Sequence, residues 1–188
     1  MKRAQHLLGS FRIYRFCDTM DLSIRRESQT VEIMLERALP DKKDALFRLL
    51  QYSLFEESLT DLNDMNDDAL FDYPWFEAYF TEEEREAYFI RQQGTKQLLG
   101  FAMIRRHEDG RHSIAEFLVI PKYRRRGIGM QAAKACFALH DGLWEVKPAY
   151  GSESARLFWQ RVIAQTAAHA QWKDRMFTFQ INHKEVYR

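Results

Sequence analysis

The segment SIAEFLVIPKYRRRGIGMQAAKACFALH, residues 113–140, constrains the fold of this chain more than any other. Its apolar start, HSIAEFLVIP from residue 112, is nearly continuous, the pattern of a strand buried on both faces. Pro121 ends it. Three arginines and Gly127-Ile128-Gly129 follow, and then a helical pattern from Gly129 to Leu139 that closes at His140-Asp141-Gly142. A strand that runs through a glycine-rich turn into a helix N-terminus leaves backbone N–H groups pointing outward, where the helix dipole favours an anion. Glycines let a ligand approach without a Cβ in the way. With the charge of Arg124, Arg125 and Arg126 alongside, the turn fits a pyrophosphate better than a single carboxylate. The same residues also suit a solvated basic bend. Neither G-x-x-x-x-G-K-[ST] nor G-x-G-x-x-G after a first strand is present.

The remaining elements follow from periodicity. TVEIMLERAL reads as a first strand that ends at Pro40. The next helix is capped by Asp41 and packs Leu46, Leu49, Leu50 and Leu54. Strands near 87–92 and 97–106 flank a turn at Gln93-Gly94-Thr95. LWEVKPAY is a further strand, SESARLFWQRVIAQTAAH a helix capped by Ser152 or Ser154, and RMFTFQINH a last strand. Between the first helix and the hairpin lies an irregular stretch with a short helix. The order β-α, irregular segment, β-β-β-α-β-α-β predicts an α/β domain around a mixed sheet.

Residues 31–188 are read as this single domain, and residues 1–30, basic and without steady periodicity, as a peripheral extension. Lysines and arginines number 28 against 27 acids, which argues against a nucleic-acid or membrane-surface binder. No apolar stretch reaches the ~18 residues of a membrane span. Two cysteines, Cys17 and Cys136, form neither a metal motif nor a disulfide framework, so a reducing, cytoplasmic setting without a metal is expected. Charge is uneven locally: residues 56–86 hold twelve acids and one arginine, Arg85.

FLVIPKYRRRGIGMQAAKACF resembles motif A of the GNAT superfamily of N-acetyltransferases, whose Gln/Arg-x-x-Gly-x-Gly/Ala signature is met by Arg124, Gly127 and Gly129. Val119 and Pro121 match the preceding V-x-P. SESARLFWQ resembles the family's Asn-x-x-Ala-x-x-φ-aromatic stretch, and the resemblance extends over about residues 31–181. More narrowly, the segments resemble a bacterial branch of predicted acetyltransferases. The resemblance implies a mainly antiparallel mixed sheet whose fourth and fifth strands splay apart, flanked by helices. It implies acetyl-CoA in that cleft, with Phe117, Leu118 and Val119 pairing to the pantetheine arm. The pyrophosphate would rest on amides of Arg124, Arg125, Arg126, Gly127, Ile128 and Gly129. Ser152 and Phe158 would border the cofactor, and an N–H near Val119 would stabilise the oxyanion. The implied reaction is direct transfer of acetyl to a primary amine of a small molecule or protein, by a monomer or homodimer.

Such chemistry needs a neutral amine, hence a base. Glu116, among apolar neighbours on the fourth strand, is the candidate; a strand glutamate facing solvent or paired with an arginine would look the same. His112 is read as part of a hairpin end, and Phe137 and Trp144 as core. The family's tyrosine acid is replaced by Trp159, which cannot donate a proton to the thiolate, leaving Ser154 and Tyr150 as candidate donors. That departure keeps a non-catalytic acyl-CoA-binding regulatory module as the alternative. Asp64, Asp67, Asp68, Asp72, Tyr73, Trp75 and Tyr79 form a candidate wall for a cationic acceptor, by charge and cation–π contact; a solvated acidic loop is the other reading.

Overall fold

A computed structural model describes residues 31–60, 63–167 and 169–182. The N-terminal extension and Asp61 therefore lie outside the described residues. The strands are β1 (Ile33–Arg37), β2 (Arg85–Gln92), β3 (Leu98–Arg106), β4 (His112–Val119), β5 (Gly142–Val146), β6 (Ala170–Lys173) and β7 (Met176–Ile181). The α-helices are α1 (Lys43–Glu57), α2 (Ile128–Phe137) and α3 (Glu153–Ala164). The strands form one sheet in the order β1-β2-β3-β4-β5-β7-β6. Every neighbouring pair is antiparallel except β4 and β5, which run parallel.

Alternation along the strands sends side chains to two faces. One face, with Ala87, Phe89, Phe101, Met103 and Leu118, packs under α1 through Leu46, Leu49, Leu50 and Leu54, all four buried as their spacing predicts. Phe71, Phe76 and Tyr79 of the acidic segment extend that cluster. The other face carries Ile104, Ile114, Trp144 and Phe179 against Phe137 of α2 and Trp159, Val162 and Ile163 of α3. Phe137 and Trp144 are thus core, edge-to-face with ring centroids 5.1 Å apart. Cys136 lies in this core, where burial pushes its thiol up to about 12, so it stays a protonated, inert apolar group.

Three expectations need correction. Asp41 does not cap α1. It lies within a 3-10 turn, Pro40–Lys42, and Lys42 at the cap position offers no side-chain acceptor. Helix α3 stops at Ala164, well short of His169, and β6 follows; its four exposed residues show no alternation that could mark a strand. β4 is not buried on both faces throughout: Ala115 is exposed, and Glu116 and Phe117 are half-buried, because its neighbour on one side leaves it. The acidic segment is irregular as expected, closed by a bridge between Met65 and Phe71 and a 3-10 turn at Glu77–Phe80.

Candidate active site

The site begins with a sheet defect. β4 pairs with β5 only from His112 to Ile114, against Trp144 to Val146. Immediately beyond, Met103 of β3 pairs with Glu116 whereas Ile104 pairs with Ile114, so Ala115 is an extra residue on β4. A bulge bends its strand and increases local twist. Pro148, two residues past the end of β5, has no N–H to continue a ladder. β4 therefore swings away from β5 over residues 115–119 and leaves a wedge between them.

The alternation of hydrogen-bonded and open pairs decides which backbone groups face that wedge. Ile120 donates its N–H to Leu99 across β3. The Gly100–Val119 pair is then an open one, Phe101–Leu118 is bonded, and Ala102–Phe117 is open. A Cβ built on Gly100 would lie 2.0 Å from the Leu118 carbonyl oxygen, which fits that oxygen's turn toward β3. Backbone groups of Phe117 and Val119 thus face the wedge and those of Leu118 face β3, so Leu118 lacks the orientation expected of it. The Val119 carbonyl accepts a hydrogen bond of 2.7 Å from Arg124 Nε, leaving the Val119 N–H as the polar group directed at the gap.

Past β4 the chain makes a 3-10 turn at Pro121–Tyr123 and enters α2. Arg125 (φ 64) and Gly127 (φ 77) are both left-handed, a conformation that curls successive N–H groups into a concave nest. Gly127 is the N-cap residue and, among the described residues, no side chain caps the helix, so the first amides of α2 have no side-chain acceptor there. This turn fits an anion. The side chain of Arg124 is committed elsewhere: besides Val119 it reaches Glu56 on α1 at 2.6 Å, and it thereby ties the end of β4 to that helix. Arg125 and Arg126 remain exposed at the turn. Ile128 is buried in the core and can contribute only its backbone. Gly129 has a reason to lack a side chain that spacing could not reveal: a Cβ there would sit 3.2 Å from the Phe158 ring.

Phe158 closes the wedge from the α3 side, stacked on Phe117 with centroids 5.9 Å apart. Trp159 is core, edge-on to Phe117 at 5.1 Å. Ser152 caps α3 by accepting from the Ala155 amide, and its Oγ lies 3.1 Å from the exposed Ser154 Oγ. Tyr150 is exposed, with the Arg175 guanidinium 3.9 Å from its ring centroid. The loop carrying these residues rests on the turn that follows α1, since a Cβ on Gly151 would come within 3.2 Å of Thr60.

Glu116 lies on the opposite face from Phe117, beside the acidic segment, where its charge acts on the hydroxyls of Tyr73 and Tyr79. Burial, then the Glu116 charge, drives the Tyr73 hydroxyl far above the ordinary phenol range, so it remains a donor toward that carboxylate. Among the described residues Tyr79 Oη is buried with no partner in hydrogen-bonding geometry, although Tyr73 and Arg85 are close enough to perturb it. Arg85 is nearly fully buried, 2.7 Å from Glu82, and its guanidinium packs 5.2 Å from the Trp75 ring centre and 5.4 Å from that of Tyr79. The aromatic pair expected to bind a cationic acceptor therefore holds the protein's own cation. The lone arginine in an acidic span was the signal for this. Asp64, Asp67, Asp68 and Asp72 are exposed, and Asp72 accepts from Asn66 in the loop that Met65 and Phe71 close.

No curated protein matches the sequence. Among solved structures, an acetyltransferase from Thermus thermophilus superposes with a TM-score of 0.58 at 16% identity, over 81% of this chain and 97% of that one. A GNAT-family acetyltransferase from Staphylococcus aureus gives 0.53 at 12% identity, over 80% and 100%. Spermidine N-acetyltransferase from Vibrio cholerae, in complex with CoA and spermine, gives 0.52 at 8% identity, over 80% and 88%. These likenesses establish a shared fold. The sequence model of the acetyltransferase (GNAT) family matches residues 51–162, more than half of the chain, including β4, the nest and most of α3. The chain belongs to that family of acyl-transfer enzymes.

Proposed function

We propose that this protein is an acetyl-CoA-dependent N-acetyltransferase that acts on a primary amine of a small molecule or protein. The observation that carries the reading is the wedge itself: strand-edge groups at Phe117 and Val119 lead directly to an uncapped, nest-shaped helix N-terminus at Arg125–Gly129. An acyl-CoA has amides along its pantetheine arm and a pyrophosphate behind it, in that order. The arm would pair with Phe117 and Val119 as a short extra strand, with the pyrophosphate on the amides of residues 125–129 and Arg125 and Arg126 screening its charge. Arg124 acts through position: by holding the Val119 carbonyl it leaves the Val119 N–H pointed at the thioester oxygen.

On this reading Glu116 takes the proton from the acceptor ammonium, directly or through a water, on the face that Tyr73 covers. The neutral amine attacks the thioester carbonyl, the C–N bond forms as the C–S bond breaks, and CoA leaves as a thiolate. Ser154 or Tyr150 is the hydroxyl proposed to protonate it and to receive in return the second proton that the amine nitrogen sheds, and Ser152 and Phe158 border the arm. The CoA and spermine complex of the Vibrio relative supports an amine acceptor here. A cationic acceptor rests on the exposed carboxylates of residues 64–72 alone, since the Trp75–Tyr79 pair is filled by Arg85.

Steady-state CoA release with a panel of amines, at low and physiological salt, tests all of this. Wild type should release CoA with at least one primary amine. Its KM for a cationic acceptor should rise with salt, because attraction between exposed charges is screened beyond ~8 Å at physiological ionic strength. Glu116→Gln should lower kcat by about 10²-fold or more, with acetyl-CoA affinity unchanged by calorimetry. Tight acetyl-CoA binding without release of CoA for any amine would favour the non-catalytic acyl-CoA-binding module instead.

A further inference from the structure

The sheet has a second concavity at the end far from the wedge. Glu83, Glu84 and Glu86 before and on β2, Ile104 and Arg106 of β3, Gly110 of the β3–β4 turn, His112 of β4, and Leu139, His140 and Asp141 after α2 line a pocket of ≈570 Å³. That volume lies in the range of small-molecule sites, roughly 300–1,000 Å³. His112 begins β4 and Val119 ends it, so at ~3.3 Å per residue the pocket is about 23 Å from the proposed thioester position. Nothing in the acetyl-transfer reading uses it.

We propose that this pocket is a separate binding site for a small organic cation rich in N–H donors, of the alkylguanidinium or alkylammonium type. The walls supply acceptors. Four carboxylates, Glu83, Glu84, Glu86 and Asp141, meet two guanidinium groups: Arg106, 3.4 Å from Glu84, and Arg37, 3.1 Å from Glu86. His140 Nε2 lies 2.7 Å from Glu86 and fixes that carboxylate in place. The floor is a stacked imidazole pair, His112 on His140, with ring centres 4.6 Å apart and planes within 3°. His112 is 8% exposed, and its Nδ1 has no hydrogen-bond partner among the described residues. Buried polar atoms are rarely left so, because each one loses its water contacts without replacement. Burial first, then the charges of His140 and Arg106, hold His112 below the ordinary imidazole range, so this ring adds no positive charge to the pocket at neutral pH. Leu139 offers apolar surface to a short carbon chain. Carboxylates, an uncharged His112 ring and a small apolar wall complement a donor-only cation and repel an anion.

The probe is n-butylguanidinium chloride, which stays charged at all accessible pH values and is a poor acetyl acceptor. It is titrated into the full chain against matched NaCl, with the ring resonances of His112 and His140 followed by NMR. The expected result is saturable shifts at both rings that NaCl does not produce. Leu139→Arg, at a partly exposed position, should raise the midpoint at least tenfold, and Glu83→Gln with Glu84→Gln severalfold. Glu116→Gln should leave the midpoint unchanged. Shifts that follow NaCl, or a midpoint indifferent to both pocket variants, would overturn the proposal, as would its loss in Glu116→Gln, which would move binding to the acetyl-transfer cleft. If Leu139→Arg does not fold, the double glutamine variant, altered at two exposed side chains, decides.

Discussion

Gly100→Ala probes the geometry on which the proposed acetyl-transfer cleft depends. The new Cβ would stand 2.0 Å from the Leu118 carbonyl oxygen and 3.1 Å from Val119 Cα, both backbone atoms of β4. Nonbonded carbon rarely comes nearer than about 3 Å to oxygen, so β3 and β4 must part by about 1 Å where they lead into the wedge. Overpacking of this kind costs about 1–3 kcal/mol, and a backbone obstacle belongs at the upper end because it cannot rotate aside. Restricting the unfolded chain returns about 0.4–1 kcal/mol. The net loss is about 2 kcal/mol, which for a chain of this size lowers Tm by about 4–8 °C. Gly94→Ala is the control: Gly94 is also constrained, at φ +81, but has no atom within 4 Å of the added methyl and lies in the β2–β3 turn away from the cleft. Thermal unfolding and acetyl-CoA calorimetry on both variants make the comparison. Gly100→Ala should lose stability and at least tenfold in acetyl-CoA affinity, whereas Gly94→Ala should lose stability alone. A Gly100→Ala protein with wild-type Tm and affinity would refute the assigned register of β3 on β4 and the orientation of Val119 derived from it.

Gly129→Val should displace the Phe158 ring, weakening acetyl-CoA binding while circular dichroism stays unchanged; unaltered affinity would separate Gly129 from the pyrophosphate turn. Burial opposes ionisation of Glu86, but the hydrogen bond and charge of His140, followed by Arg37, outweigh it and hold the carboxyl below its usual range. A depressed carboxyl stabilises the fold above its unfolded value and loses that contribution as pH falls through the folded one. The stability gap between wild type and Glu86→Gln, from denaturant titrations, should therefore be present at pH 7 and shrink toward pH 3; a gap independent of pH would contradict the ion-pair account. Deletion of residues 1–29 should leave Tm and acetyl-CoA binding intact, because the first strand of the described residues begins at Ile33; a large fall in Tm would show that the extension packs on the domain.

What the sequence determined by itself was local. Pro121, the left-handed Gly127 and the helical run after it specify strand, turn and helix within twenty residues, and the turn proposed to hold a pyrophosphate depends on nothing more distant. The leucines of α1, the β2–β3 hairpin and a serine cap at Ser152 or Ser154 were legible for the same reason: each is fixed by spacing or by a neighbour three or four residues away. The tertiary structure decided what depends on residues far apart in the chain. Splaying of β4 from β5 comes from an unpaired Ala115, which no composition marks, and the two open amides at Phe117 and Val119 follow from register rather than residue type. Arg124 looked like a phosphate ligand by charge, yet Glu56, 68 residues earlier, holds it to α1. Trp75 and Tyr79 looked like a receptor for an external cation, yet the fold brings Arg85 to them. Charge and aromatic character travel with the residue; the partner that satisfies them is set by packing, and packing is a property of the whole sheet.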